Sequence, residues 1–246
     1  MRDYNQEYQD QGPSGRKYSY EFDDILRAYM WQTFAPFLPD SKTPVLELSC
    51  FKGRFTELLA QRFDQITVIE ASEELIEVAR SRVGSAIQFI HSTFEEAELT
   101  DRFGAVFLIH TLEHLDDARL VLSRIRDWLD DNGVLLLAVP NANAASRQIA
   151  VKMGLIEHNS AVTEGERIHG HRKTYSLDTL ETEAVSAGLQ VEARGGVFFK
   201  ALANFQLDRA LNEGIVSSQY LDGCYKLGMI YPDLAASIYL ICSNRD

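Results

Sequence analysis

The stretch Val45-Leu46-Glu47-Leu48-Ser49-Cys50-Phe51-Lys52-Gly53-Arg54-Phe55 decides how this chain is read. Its first four residues follow Pro44 and suit a short strand, and residues 54–63 carry apolar side chains at helical spacing. Between them lies a short turn with one glycine, Gly53. The same strand–turn–helix unit then repeats outward. Residues 66–70 predict a second strand ending on Glu70. Ser72 is a good N-cap, with Glu73 and Glu74 in the first turn where the helix dipole favours anions, and Gly84 ends that helix after Val83. Strands are expected at 87–90, 105–109 and 134–139, with a helix over 116–129 and a turn at Asn132-Gly133 before the last of them. The runs 105–109 and 134–139 are continuously apolar, as strands buried on both faces should be. Such alternation predicts an α/β domain with parallel strands joined by right-handed crossovers. In open sheets of this kind ligands bind at the carboxyl ends of the strands, where strand order reverses.

Beyond Pro140 the pattern loosens. A helix is expected over 144–153, then a polar loop holding His158, His169, Gly170 and His171. A helix over 176–187, ended by Gly188, leads to a strand over 189–193, and the chain closes on a strand over 235–242. Residues 201–231 read as helix with breaks at Gly214, Gly223 and Gly228, too long an excursion for a hairpin. Before residue 41 lie five of the ten tyrosines (Tyr4, Tyr8, Tyr18, Tyr20, Tyr29), a loop at Gln11-Gly12-Pro13-Ser14-Gly15, and apolar helical spacing over 22–38. These tyrosines suit either a half-buried flap or a lid over a ligand. The chain is thus expected to form one domain over 1–246: an N-terminal flap and helix (1–41), a ligand-binding half (42–141) and a substrate-side half (142–246), with the N-terminal helix and residues 201–231 as the substrate cover.

Composition narrows the function. The 246 residues include 24 Lys and Arg against 36 Asp and Glu, a net charge of -12, which argues against a sequence-independent grip on nucleic acid. Cys50, Cys224 and Cys242 are odd in number and form no C-x-x-C, so neither a disulfide framework nor a structural zinc site is expected. The polar N-terminus has no apolar signal core, and the apolar runs are far short of a membrane span. A cytoplasmic chain is the expectation.

Glu70 stands twenty-three residues after Glu47, at the end of the second strand. A carboxylate there can accept two hydrogen bonds from a ribose diol, while the first turn lets a ligand approach the backbone. Dinucleotides and S-adenosylmethionine both use this layout. A dinucleotide needs G-x-G-x-x-G so that its pyrophosphate can lie on the helix N-terminus. Here only Gly53 is present and Phe51 obstructs a phosphate, which disfavours NAD, NADP and FAD, and with them a nicotinamide oxidoreductase.

The segment V-L-E-L-S-C-F-K-G-R-F-T-E-L-L-A resembles the first motif of class I S-adenosylmethionine-dependent methyltransferases, and residues 66–71 resemble the second. His110-Thr111-Leu112-Glu113-His114-Leu115-Asp116-Asp117 contains the L-E-H of the family's small-molecule members, and Val139-Pro140-Asn141 their V-P-N. Gly170-His171-Arg172-Lys173-Thr174-Tyr175-Ser176 resembles their G-H-x-x-x-Y/F-S/T. The resemblance implies a Rossmann-like, doubly wound, seven-stranded sheet, mostly parallel with an antiparallel last strand. It implies S-adenosylmethionine as cofactor and methyl transfer to oxygen or nitrogen of a small molecule, such as a sugar, a surface-polysaccharide precursor or a secondary metabolite. Glu47, Ser49, Cys50, Phe51, Gly53, Glu70, Ala71, Thr93, Phe94 and His110 are the cofactor-binding residues it implies. Ser49 and Phe51 depart from the usual glycines, and Thr93 replaces an expected acid near the adenine. These departures motivate a rival reading, a degenerate methyltransferase fold acting as a binding or regulatory subunit.

A histidine suits the base that a hydroxyl acceptor needs. His114, His169 and His171 are the catalytic candidates, each weighed against an ordinary structural histidine. The pair His169-Gly170-His171 invites a metal reading, but no carboxylate spacing supports it, and no metal is expected. The expected partners are the small-molecule acceptor and a second copy in a homodimer, with no nucleic acid.

Overall fold

The computed structural model describes residues 4–9 and 20–244. Tyr18 and the expected loop at 11–15 lie outside the described residues, as does the Tyr8 side chain. Seven strands form one sheet: β1 (Val45–Leu48), β2 (Ile66–Glu70), β3 (Gln88–His91), β4 (Phe103–Ile109), β5 (Leu129–Pro140), β6 (Leu189–Phe199) and β7 (Ala235–Asn244). Their order is β3-β2-β1-β4-β5-β7-β6. All neighbours from β3 to β5 pair parallel, and β7 runs antiparallel to both β5 and β6. The expected sheet is therefore present. Strand order reverses between β1 and β4, and the carboxyl ends of those two strands open side by side.

Period-two alternation sorts the central strands between two cores. Val106, Leu108, Leu135, Leu137 and Val139 face one layer, with α5 (Ala118–Trp128) and α8 (Leu177–Ser186) packed on it. Ala105, Phe107, Leu136 and Ala138 face the other. That layer holds α2 (Glu21–Phe34), α3 (Arg54–Ala60), α4 (Glu73–Val83) and α10 (Ser218–Ile230). Caps act where the composition places them. The Ser72 hydroxyl accepts from the Leu75 N–H at the start of α4, and the Asp117 carboxylate from the Leu120 N–H at the start of α5.

Several boundaries move. β6 continues to Phe199, well beyond the expected 193, because Gly195 and Gly196 remain in register with β7. Asn132 and Gly133 lie within β5 rather than in a turn before it, and the ladder with β4 shifts register there. Of the three expected helix breaks, only Gly214 is one; it separates α9 (Asn204–Asn212) from α10. Gly223 and Gly228 lie inside α10. A Cβ on Gly228 would sit 2.5 Å from the Phe198 nitrogen, so this glycine lets the helix backbone press on β6. The polar loop contains a short helix, α7 (Glu164–Ile168), started by a Thr163–Glu166 capping box.

α2 is held by the late excursion. The Asp208 carboxylate accepts from the Glu21 and Phe22 N–H groups at 3.0 and 2.9 Å. Tyr29 donates to Asp222 at 2.7 Å and stacks on Tyr225 at 4.6 Å.

Candidate active site

The turn after β1 follows a path that glycine would favour. Ser49, Phe51 and Gly53 all have left-handed backbones, with φ of 65°, 46° and 75°. For the two residues with a Cβ this costs about 1–2 kcal/mol each. The surroundings impose it. The Ser49 N–H donates to the Ile69 carbonyl at 2.9 Å and the Gly53 N–H to the Cys50 carbonyl at 2.8 Å. Glu70 then ties the turn from the end of β2: its Oε2 accepts from the Phe51 N–H (3.3 Å) and the Ser49 hydroxyl (3.2 Å), its Oε1 from the Ser72 N–H (3.1 Å). Ser49 and Phe51 thus change the side chains presented by the turn and leave its backbone path intact. His110, at the end of β4, is also left-handed at φ 49°, and its N–H donates to the Ala138 carbonyl at 2.8 Å. Among the described residues four non-glycines have positive φ, and three of them line one cavity. Backbone strain concentrates at functional sites in this way.

That cavity lies along the carboxyl ends of β1 to β4. Glu47, Ser49, Cys50, Phe51, Glu70, Ala71, Thr93, Phe94 and His110 all line it, as do His114 and His169. Two expected residues do not. Gly53 caps α3, where a Cβ would meet the Ala79 Cα at 3.0 Å, so it serves the turn and helix packing. His171 lies behind His114, the two rings edge to face at 4.5 Å. The sequence reading missed Glu95 on the wall beside Thr93, although an acid one or two residues along was visible. Further walls come from Tyr4, on α1 (Tyr4–Gln9), and from Asp23, Leu26, Arg27 and Met30 on α2, the N-terminal helix expected as part of the substrate cover. The tyrosine-rich N-terminus therefore reaches the site, and Asn5 fastens it by accepting from the Ser72 hydroxyl at 2.7 Å. Residues 201–231, expected as substrate cover, supply no lining among the described residues and reach the site only by bracing α2.

The site is acidic at one end. Burial raises Glu47 to about 8, opposed by the Thr56 hydroxyl and reinforced by Glu70. Its Oε2 is buried with no hydrogen-bond partner. Burial also raises Glu70, opposed by the donors of the turn. Burial and these two carboxylates push the Cys50 thiol up, which leaves it an inert wall. An unpartnered acceptor at Glu47 and a ring of donors and acceptors at Glu70 suit a ligand with a cationic end and a diol. The residues present fit S-adenosylmethionine. His110 differs: burial, with Arg27, His171 and Lys200 nearby, lowers it to about 3, and its Nε2 lies 2.9 Å from the Ser237 hydroxyl. Burial thus keeps its ring neutral.

At the other end β4 runs into a 3-10 turn, Leu112–His114. Glu113 is 2% exposed, burial raises it to about 8, and neither carboxylate oxygen has a hydrogen-bond partner. Glu113, His114 and His171 bring one ligand atom each within 4.8 Å of the others. The carboxylate missing from the sequence spacing thus comes from the L-E-H motif, 58 residues before His171. Asn141 of V-P-N is structural. Its amide donates to the Asp233 and Ala235 carbonyls at 3.0 and 2.9 Å and pins the chain entering β7.

Comparison with known proteins gives the family. Residues 18–194 match the family model described as "Methyltransferase domain". The chain is 23% identical over 197 residues to a ubiquinone biosynthesis O-methyltransferase of Sinorhizobium medicae, covering 75% of this chain and 78% of that one. A protein of the same name from Aeromonas salmonicida is 27% identical over 165 residues, covering 65% and 68%. A possible histamine N-methyltransferase from Thermotoga maritima has a similar fold, with TM-score 0.65, 17% identity and coverage of 97% and 100%. So does N-methyltransferase NodS of Bradyrhizobium japonicum, solved with S-adenosyl-L-homocysteine, with TM-score 0.60, 14% identity and 98% coverage of both chains. No helix among the described residues is long and apolar enough to cross a membrane. With well over half of its length matched, on the sheet order and pocket described above, the chain belongs to the methyltransferase-domain family and is an S-adenosylmethionine-dependent class I methyltransferase.

Proposed function

We propose that this enzyme methylates a small molecule on oxygen or nitrogen, and that a hydroxyl is the acceptor its site favours. One observation carries the reading: a single cavity joins the Glu47–Glu70 end to His114, behind which stand Glu113 and His171. The cofactor, when bound, supplies a methyl group on an already electrophilic sulfonium. The chain's task is therefore to align and to manage one proton. Glu70 would accept from the ribose hydroxyls, with Ser49 sharing or yielding its place on Oε2. Glu47 would face the cationic methionine end and order the turn beside it. Thr93, Phe94 and Glu95 would line the adenine end, and Ala71 the ribose wall. Tyr4 and α2 exclude water above the site.

An amine needs only to arrive unprotonated. A hydroxyl gains from a nearby group that takes its proton, and His114 on the cavity wall, with His169 beside the same cavity, offers that. The curated relatives are named O-methyltransferases, which supports the same acceptor class. Sugars, surface-polysaccharide precursors and secondary metabolites are the expected scaffolds, and the copy number in solution is proposed as two.

Calorimetric titration with S-adenosylhomocysteine tests the cofactor assignment. Micromolar binding, about -8 kcal/mol, is expected for the parent and at least about 30-fold weaker binding for Glu70→Ala, the loss of charge-assisted hydrogen bonds. Equal affinity in both would overturn the Glu70 role. Labelled methyl transfer across phenol, sugar-alcohol and amine panels then tests the acceptor; turnover of amines alone would overturn the hydroxyl preference.

A further inference from the structure

We infer that Glu113, His114 and His171 form a binding site for one divalent first-row transition-metal ion, of which zinc is the type. Two features point to a ligand. The ligand atoms converge within 4.8 Å. Glu113 is 2% exposed and neither of its oxygens has a hydrogen-bond partner, which leaves a buried carboxyl group open to a ligand. His114 Nε2 lies 3.9 Å from Glu113 Oε1, beyond hydrogen-bond distance.

The backbone holds the two ligand-bearing segments together. The Arg172 and Lys173 N–H groups donate to the Glu113 carbonyl at 2.8 and 3.3 Å, and the His171 N–H donates to the Glu166 carbonyl at 2.9 Å. Glu166 is fixed in turn by Arg147 at 2.5 Å and by the Thr163 cap. The pairing of the G-H-x-x-x-Y segment with the L-E-H turn therefore sets two imidazoles and a carboxylate around one point. A tetrahedral ion with bonds of about 2.0–2.1 Å spaces its ligands by roughly 3.3 Å, so closure requires side-chain rotation within this frame.

The donor chemistry selects the ion. Two imidazoles and one carboxylate suit zinc, cobalt or iron, whereas magnesium and calcium prefer oxygen ligands. Three protein ligands leave a position open, and His114 borders the cavity. An ion there would polarise an acceptor oxygen, a consequence that rests on the hydroxyl reading above; the site itself does not. His114 would then be a ligand and not a base.

The test uses the untagged full chain, stripped with EDTA and titrated with cobalt(II) chloride followed by visible absorption, then with zinc chloride in competition. One ion per chain is expected, with affinity weakened at least about 10-fold in each of Glu113→Gln, His114→Ala and His171→Ala. His158→Ala, an imidazole of the same loop region outside the triad, should bind the ion as the parent does. S-adenosylhomocysteine binding, measured on each variant, reports that it is folded. Absence of stoichiometric binding in the parent, or binding that survives loss of the triad residues, overturns the site. Failure of the parent to bind S-adenosylhomocysteine while still binding cobalt would break the cofactor assignment and leave the metal site standing.

Discussion

Glu70 and Glu113 are both buried acids at strand ends of one sheet, and their surroundings differ. Glu70 accepts from two backbone N–H groups and a hydroxyl, so the fold itself compensates its charge. Glu113 has no hydrogen-bond partner on either oxygen. A carboxylate built into a turn is part of the scaffold as well as of the site. A carboxylate left uncompensated is a cost that the fold bears for something outside it. On the proposed reading, the contrast separates a cofactor end preorganised by backbone from an acceptor end completed by a ligand.

The largest effect should come from replacing both acids by a volume-matched apolar side chain. Glu70→Met strands three donors at about 1–3 kcal/mol each before water relieves some of them. A fall in Tm of about 10 °C is expected at 2–4 °C per kcal/mol for a chain of this size. Glu113→Met in metal-free protein strands no hydrogen-bond donor and removes a buried carboxyl that has no hydrogen-bond partner, so its Tm should hold or rise. Equal losses in thermal melts of the two variants would erase the distinction.

Glu47 sharpens the comparison, because it lies between the two cases, with one oxygen unpartnered. Its folded pKa of about 8 lies above its ordinary 4.5. The folded state therefore holds the proton more tightly than the unfolded chain. The resulting stability is fully present below pH 4.5 and is lost as pH rises towards 8. Glu47→Gln cannot ionise, so melts across this range should show it gaining on the parent, by up to about 10 °C at the alkaline end. Parallel curves would mean that Glu47 does not titrate there.

The smallest effect concerns the turn itself. Phe51→Gly removes a Cβ from a backbone at φ 46°. It should raise Tm by about 2–4 °C, since the gain is about 1 kcal/mol and the ring is only partly buried. A lower Tm would show that the ring's packing outweighs the strain.

Local chemistry made most of the fold and the cofactor end legible. The V-L-E-L strand, the Ser72 cap and the uniformly apolar β4 and β5 signal locally, and residues three or four apart carry the message. Glu70 was readable because it ends a strand whose neighbour holds the ligand turn. The broken helix at 201–231 was misread in part because Gly228 answers to Phe198, thirty residues earlier, and not to its own helix. The same holds for Asn141 of the V-P-N segment, whose amide holds distant carbonyls before β7.

By itself, then, the sequence determined the α/β alternation, the strand ends where a ligand sits, and the acidic residues that would receive the cofactor. The alternation and the place of Glu70 follow from periodicity, capping and composition over short spans, and the part given to Glu47 from the resemblance of its motif. Only the tertiary structure decided which residues of α1 and α2 wall the site and that Ser49 and Phe51 keep a glycine-like path. It alone also decided that Glu113 and His114 meet His171. Those outcomes depend on which distant segments the sheet brings together, and a contact across 58 residues leaves no local pattern to read.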